Sequence, residues 1–289
     1  MKQSLHIPVL LKPTLSTLQP QTGESYLDLT AGYAGHAQAV LQITQSPGQA
    51  ILVDRDQLAI NYLYSLSLGV QLMHQDYLAA AQTLVQQDRQ FDMTLLDLGV
   101  SSPQLDVAER GFSFNKQASL DMRMNQADSL TASDVVNRYP LKKLAKLIHE
   151  YGEESAKTAQ LIAKNIAQHR PIETTTDLAD LIEQQFGRHG RVHPATKLFQ
   201  AIRIEVNQEL AQIERVLPLL PKLLKPGGRL AIITFHSLED RLVKRFFQRE
   251  YRKGLAGELA PIGKPISGKT EQAFNPRSRS AMLRGAYKK

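Results

Sequence analysis

Tyr26-Leu27-Asp28-Leu29-Thr30-Ala31-Gly32-Tyr33-Ala34-Gly35-His36 is a short apolar run with an acid near its end, followed by a loop of small residues. It leads into Ala37–Ile43, which reads as a helix. Strand, small-residue turn and helix are how an open α/β sheet makes a ligand crevice at the carboxyl ends of its strands. Glycine lets the backbone approach a bulky ligand and adopt positive φ. An aspartate closing the strand can accept hydrogen bonds from a cationic or hydroxylated ligand. Alone, this is a weak signal, since turns of this kind are often only turns.

The same pattern repeats downstream. Ala50–Val53 is expected as a second strand ended by Asp54-Arg55-Asp56, with a helix over Gln57–Leu66. Val70–His74 is a third strand ended by Gln75-Asp76-Tyr77, with Leu78–Gln87 helical. Phe91–Leu98 is a fourth, carrying Asp97 at its end. Short apolar strands separated by helices predict a parallel sheet with right-handed crossovers. Beyond Asp97 the strand signal stops. Gly99–Gln104 reads as a loop, Ala108–Asn125 as irregular, and helices are expected over Leu141–Glu150, Ala156–Gln168 and Asp177–Phe186, the last capped by Thr176. The sheet pattern then returns. A long helix from Pro194 is interrupted at Pro218 and Pro221, Lys225–Gly228 is a turn, Arg229–Phe235 a fifth strand and Leu238–Phe247 a helix. One late strand is expected within Ser280–Tyr287, and Ser4–Leu18 reads as an irregular arm. The expected division is a sheet domain in two parts, 1–104 and 194–289, around a helical insertion over 105–193.

Composition narrows the partners. The chain has 289 residues, 42% of them hydrophobic, and no cysteine, which excludes disulfides, thiolate metal sites and cysteine nucleophiles. The sequence shows neither a signal peptide nor a run of about 18 apolar residues, so the expectation is a cytoplasmic protein with no membrane segment. The net charge of +7 is uneven. Residues 1–103 carry 4 Lys+Arg against 8 Asp+Glu, whereas residues 222–289 carry 16 against 5. A polyanionic partner at the basic end is the expectation.

Asp28, Asp54, Asp76 and Asp97 place four carboxylates along one edge of the expected sheet. The acid after the second strand suits a ribose diol, and Tyr77 could stack on an adenine. A dinucleotide fingerprint requires G-x-G-x-x-G, and Gly32-Tyr33-Ala34-Gly35 lacks that spacing. An acidic edge also disfavours pyrophosphate. It suits S-adenosylmethionine, which has no phosphate and carries a sulfonium cation.

Longer blocks carry a resemblance. They include His6–Leu11, Leu96–Asp106, Glu109–Phe114 with Leu120–Met124, His193–Thr196, Phe199–Leu210, Phe235–Arg241 and Asn275–Ser280. With the opening stretch, these resemble the bacterial small-subunit rRNA cytosine-N4 methyltransferase family over nearly the whole chain. The resemblance implies a class I (Rossmann-like) S-adenosylmethionine-dependent methyltransferase fold with an inserted helical domain that recognises RNA. It implies N4-methylation of the decoding-centre (P-site) cytosine of 16S rRNA in the small (30S) ribosomal subunit. Cofactor contacts carried over by position fall on Ala34, Gly35, His36, Asp54, Tyr77, Asp97 and Gln104. Asp97 is the candidate catalytic acceptor for the cytosine amine; backbone carbonyls near Ser101 and Ser102 are the alternative. The chain departs from the family at Leu29, where glycine is usual, and at Ala34 and Ala37, where glycine and serine are usual. Lys12-Pro13 replaces the family's usual acid, and Tyr77 stands where phenylalanine is commoner.

Arg203, Asn207, His236, Arg277 and Arg279 are candidates for contact with the RNA, each against a plain structural role. His189 and His193 lack the spacing and carboxylate company of a metal pair, so no metal site is expected. Two other functions stay open at this level: a non-catalytic ribosome-assembly RNA-binding protein, and an amine methyltransferase acting on another nucleic acid. Whether the chain works alone or as a homodimer is also open.

Overall fold

The computed structural model describes residues 8–188 and 192–289. His6, Ile7 and His189 therefore lie outside the described residues. In chain order the elements are α1 Leu11–Leu18, β1 Tyr26–Asp28, α2 Gly35–Thr44, β2 Ala50–Asp54, α3 Gln57–Ser65, β3 Gln71–His74, α4 Tyr77–Gln86 and β4 Phe91–Asp97. Next come α5 Ser102–Asp106, α6 Ala132–Arg138, α7 Leu141–Tyr151, α8 Ala156–Gln168, α9 Thr175–Phe186, α10 Thr196–Asn207 and α11 Glu209–Val216. The chain closes with β5 Leu224–Thr234, α12 Ser237–Arg252, β6 Leu259–Ser267 and β7 Met282–Lys288.

All seven strands form one sheet in the order β3-β2-β1-β4-β5-β7-β6, parallel except where β7 runs antiparallel to both neighbours. This is the strand order of class I methyltransferases. Every residue of β1 is buried, and four of the five in β2. Such runs are the mark of strands covered on both faces. Leu27, Ile51 and Val53 pack into one apolar layer, and Tyr26, Leu52 and Leu95 into the other. The chain reverses direction across the sheet between β1 and β4, so the crevice expected of an open α/β sheet lies at the carboxyl ends of those two strands.

The chain divides into two compact units, one made of 1–99 and 210–289, the other of 100–209. The first contains the sheet. The second is helical, with Val135, Leu144, Ile148, Ile162, Ile166, Leu178, Ile182 and Ile202 in its core. It reaches beyond the insertion expected over 105–193, because α10 packs on α6 and α7.

Several local differences have physical causes. The expected arm contains α1; its proline, Pro13, sits in the first turn, where no intrahelical N–H is required. Buried Thr14 and Thr17 hide the apolar period of that helix. The unforeseen β6 contains Pro261, Gly263 and Pro265, which an edge strand paired only with β7 tolerates. The unforeseen α6 is a seven-residue helix started by a Thr131–Asp134 capping box. Thr174, not Thr176, caps α9. The long helix breaks at Gln208, whose φ is +51°, while Pro218 and Pro221 lie in a 3-10 segment, Leu217–Leu223.

Candidate active site

At the switch point the loop after β1 is stitched to its neighbours by backbone bonds. Leu29 N–H donates to Leu95 O at 3.0 Å and Ala31 N–H to Val53 O at 2.9 Å. Thr30 Oγ1 accepts the Asp97 N–H at 2.7 Å, a tie that the sequence alone did not disclose. Asp28 lies on the floor, 1% exposed, accepting from Tyr26 Oη at 2.9 Å and Thr30 N–H at 3.1 Å. Burial pushes its carboxyl up to about 7, although those two bonds pull the other way. Asp54 accepts from Gly32 N–H and Asp56 N–H, both at 2.8 Å, and burial pushes it up to about 6.

Asp97 ends β4. Burial first, then the charges of Asp28 and Glu239, hold its carboxyl well above the usual carboxylate range. Its Oδ1 is buried and has no hydrogen-bond partner among the described residues. Its Oδ2 lies 3.5 Å from His36 Nδ1. That contact is not an ion pair. His36 is 7% exposed, and burial lowers its imidazole to about 4, so the ring is neutral at physiological pH. Nε2 faces the Val9 carbonyl at 3.1 Å, which places the ring proton there and leaves Nδ1 as an acceptor.

The small residues of the turn have separate reasons. Ala34 adopts φ +63° as the residue before α2, a left-handed conformation that usually selects glycine. Its side chain is fully buried, as are those of Leu29 and Ala37, so the three departures from the resembled family point into the core. Gly35 is required by close approach: a Cβ there would lie 2.5 Å from Pro8 Cγ. Pro8 and Val9 thus close over the start of α2.

Asp76 caps α4 by accepting the Ala79 N–H at 2.9 Å, which is its structural work. Tyr77 follows it as the first residue of α4, half-buried. Asp28, Asp54, Tyr77, Asp97 and the 34–36 turn therefore all belong to the carboxyl edge of the sheet in the first unit. Gln104 belongs to the second unit, where its Oε1 accepts the Ser101 N–H at 3.0 Å at the start of α5.

The residues expected to meet RNA have varied settings. Asn207 is 1% exposed; its Oδ1 accepts from Met124 N–H and its Nδ2 donates to Met122 O, both at 2.8 Å. It holds the irregular 120–125 segment to α10. Arg203 forms a bidentate pair with Glu209 at 2.8 and 2.9 Å. His236 sits between β5 and α12, its Nε2 3.1 Å from Oε1 of the buried Glu239. Ser278 turns inward and donates to Gly268 O and Asn275 O, leaving Arg277 half-buried and Arg279 exposed on either side of it. His193 bonds within the second unit, Nε2 facing Glu183 Oε2 at 3.2 Å and Nδ1 accepting the Ala195 N–H at 3.1 Å.

This donor set fits S-adenosylmethionine. Asp28, Asp54 and Asp97, three carboxylates with raised affinity for protons, lie along one edge, and one buried oxygen has no donor among the described residues. A sulfonium and an ammonium relieve that field, and hydroxyls of a ribose can bond the remaining lone pairs of Asp54.

The family model of the MraW methylase family matches residues 3–289. A ribosomal RNA small subunit methyltransferase H from Acidobacterium capsulatum is 42% identical, covering 100% of both chains. The protein of that name from Synechocystis sp. is 42% identical over 98% of this chain and 93% of its own, and that from Rippkaea orientalis 43% over 97% and 91%. With a match of this extent on a class I sheet, the chain belongs to the MraW methylase family and is an S-adenosylmethionine-dependent methyltransferase.

Proposed function

We propose that this chain methylates N4 of the P-site cytosine of 16S rRNA in the small ribosomal subunit. Full-length identity of 42% to proteins named ribosomal RNA small subunit methyltransferase H supports rRNA as the substrate. The observation that carries the chemistry is the buried Oδ1 of Asp97 at the switch point, which has no hydrogen-bond partner among the described residues.

The cytosine N4 lone pair is delocalised into the ring, so the amine is a weak nucleophile. Bound S-adenosylmethionine supplies the electrophile, a methyl group on sulfonium. Asp97 Oδ1 accepts an N4 hydrogen and so favours the tetrahedral nitrogen that attacks. With the methyl delivered by the bound cofactor, N4 would carry a positive charge, and Asp97 would take its proton and release it to water. A carboxylate whose proton affinity is already raised suits that transfer. His36, neutral and bonded to Val9 O, offers Nδ1 beside Asp97 Oδ2 without neutralising it. The Thr30 bond to the Asp97 amide fixes the strand end, and orientation of this kind lowers the barrier. The cytosine must be unstacked to reach the crevice, which is cheapest in non-helical RNA.

The test is methyl transfer to 30S subunits and to naked 16S rRNA, with the modified nucleoside identified. N4-methylcytidine at one position is expected, and its loss in Asp97→Ala. Another methylated nucleoside sinks the assignment of N4, and near-normal turnover of the variant sinks the role of Asp97.

A further inference from the structure

Helix α12 is divided cleanly by charge. Val243, Phe246 and Phe247 are buried, and the helix keeps its acids on the inner side: Glu239 is 0% and Glu250 5% exposed. Asp240 is bound by Arg284 at 2.8 and 2.9 Å. Lys244, Arg245, Arg249 and Arg252 are all exposed, and none has an ion-pair partner among the described residues. Two cations elsewhere in the same unit are neutralised, Lys225 by Asp92 and Arg229 by Glu24.

A helix surface needs only polarity to be soluble, and interspersed signs serve that best. Here Arg245 and Arg249 stand four apart, a spacing at which like charges repel. The helix dipole accounts for cations in the last turn, Arg249 and Arg252, but not for Lys244 and Arg245 in the middle. The four span about 12 Å at about 1.5 Å per residue. They run away from the carboxyl edge of the sheet, because α12 starts directly after β5. The second unit is balanced, with 14 Lys+Arg against 14 Asp+Glu over 100–209, while 210–289 carries 17 against 6.

We propose that the outward face of α12 is a docking track for an RNA sugar-phosphate backbone, leading away from the crevice edge. The choice of RNA over another polyanion rests on the rRNA reading above. The track holds phosphates outside the nucleotide to be methylated and contributes affinity without sequence preference.

The test uses the full chain with Lys244→Gln, Arg245→Gln, Arg249→Gln and Arg252→Gln combined. A 16S rRNA transcript is the probe, titrated across a KCl series. The expected result is an affinity loss of about tenfold or more at low salt, and a log–log salt slope flatter by about 3, at about 0.7 for each phosphate no longer neutralised. Binding of labelled S-adenosylmethionine should be unchanged, which shows that the fold is intact. A control with Lys142, Lys146, Lys157 and Lys164 changed to Gln removes the same charge from the second unit. An unchanged slope in the α12 variant overturns the proposal, as does equal flattening in the control. Loss of binding to phosphatidylglycerol vesicles with RNA binding intact overturns it in favour of a lipid surface. Failure of the wild type to form N4-methylcytidine, with the α12 slope still altered, removes the reaction assignment and leaves the track standing.

Discussion

Replacing Asp28 by Asn should stabilise the ligand-free protein at alkaline pH while leaving it near wild type in mild acid. The carboxyl titrates at about 7 in the fold against an ordinary value of 3.8. A raised carboxyl favours the protonated fold, so its stability contribution is full below 3.8 and is lost as pH rises through 7. That rise corresponds to roughly 4 kcal/mol lost by pH 8.5, and about 2 kcal/mol already by pH 5. Asn removes that titration. Its Oδ1 can accept from Thr30 N–H and its Nδ2 can donate to Tyr26 Oη, but the Tyr26 hydroxyl proton then loses the acceptor it has in Asp28, costing about 1–2 kcal/mol. The expected net change is near zero at pH 5 and a gain of about 2–3 kcal/mol at pH 8.5. Urea unfolding at the two pH values measures it. An equal difference at both would refute the buried charge. The same variant should bind S-adenosylmethionine more weakly, since the carboxylate is part of the field that attracts the cation; function here costs stability.

Four further outcomes follow from the same geometry. S-adenosylmethionine affinity should rise with pH across the titrations of Asp54, about 6, and Asp28, about 7, with protons released on binding. Calorimetry in buffers of different ionisation enthalpy reads that release, and none at all would contradict the site electrostatics. His36 is lowered from 6.5 to about 4, so its contribution of about 3 kcal/mol is present above 6.5 and lost as pH falls through 4. His36→Gln, which can still donate to Val9 O, should flatten the acid limb of the stability profile; an unchanged limb counts against a buried neutral ring. Ala34→Gly should leave stability equal or better by up to about 1 kcal/mol, because φ +63° strains alanine more than glycine. A loss above about 2 kcal/mol in its thermal unfolding would show that the methyl packing outweighs the strain. Asn207→Ala should destabilise by about 2–4 kcal/mol by orphaning the Met124 N–H and the Met122 carbonyl, while the salt slope of RNA binding stays that of wild type. A flattened slope would return Asn207 to the RNA.

Much of the fold was legible because it is written locally. The apolar runs of β1 to β4, each closed by an acid or polar turn, carry the parallel sheet. The regular periods of α7 and α8 carry the helical unit almost to the residue. The elements that escaped are those whose sequence signal is contradicted by position. Pro13 is harmless in a first turn, and Pro261 and Pro265 are harmless on an edge, but neither place is visible before the chain is folded.

At the site, the sequence by itself determined which acids end the strands and that their company suits a cation more than a phosphate. Tertiary structure separated their work. Asp76 spends its carboxylate on a helix start, Asp54 braces the glycine turn, Asp28 is sealed on the floor, and Asp97 keeps one oxygen without a partner among the described residues. It also made His36 a neutral acceptor and turned Asn207 inward. The physical reason is that strand ends follow from short-range apolar patterning. Burial and hydrogen-bond partners, which set a carboxylate's proton affinity, come from residues as distant in the chain as Val9 is from His36 and Thr30 from Asp97.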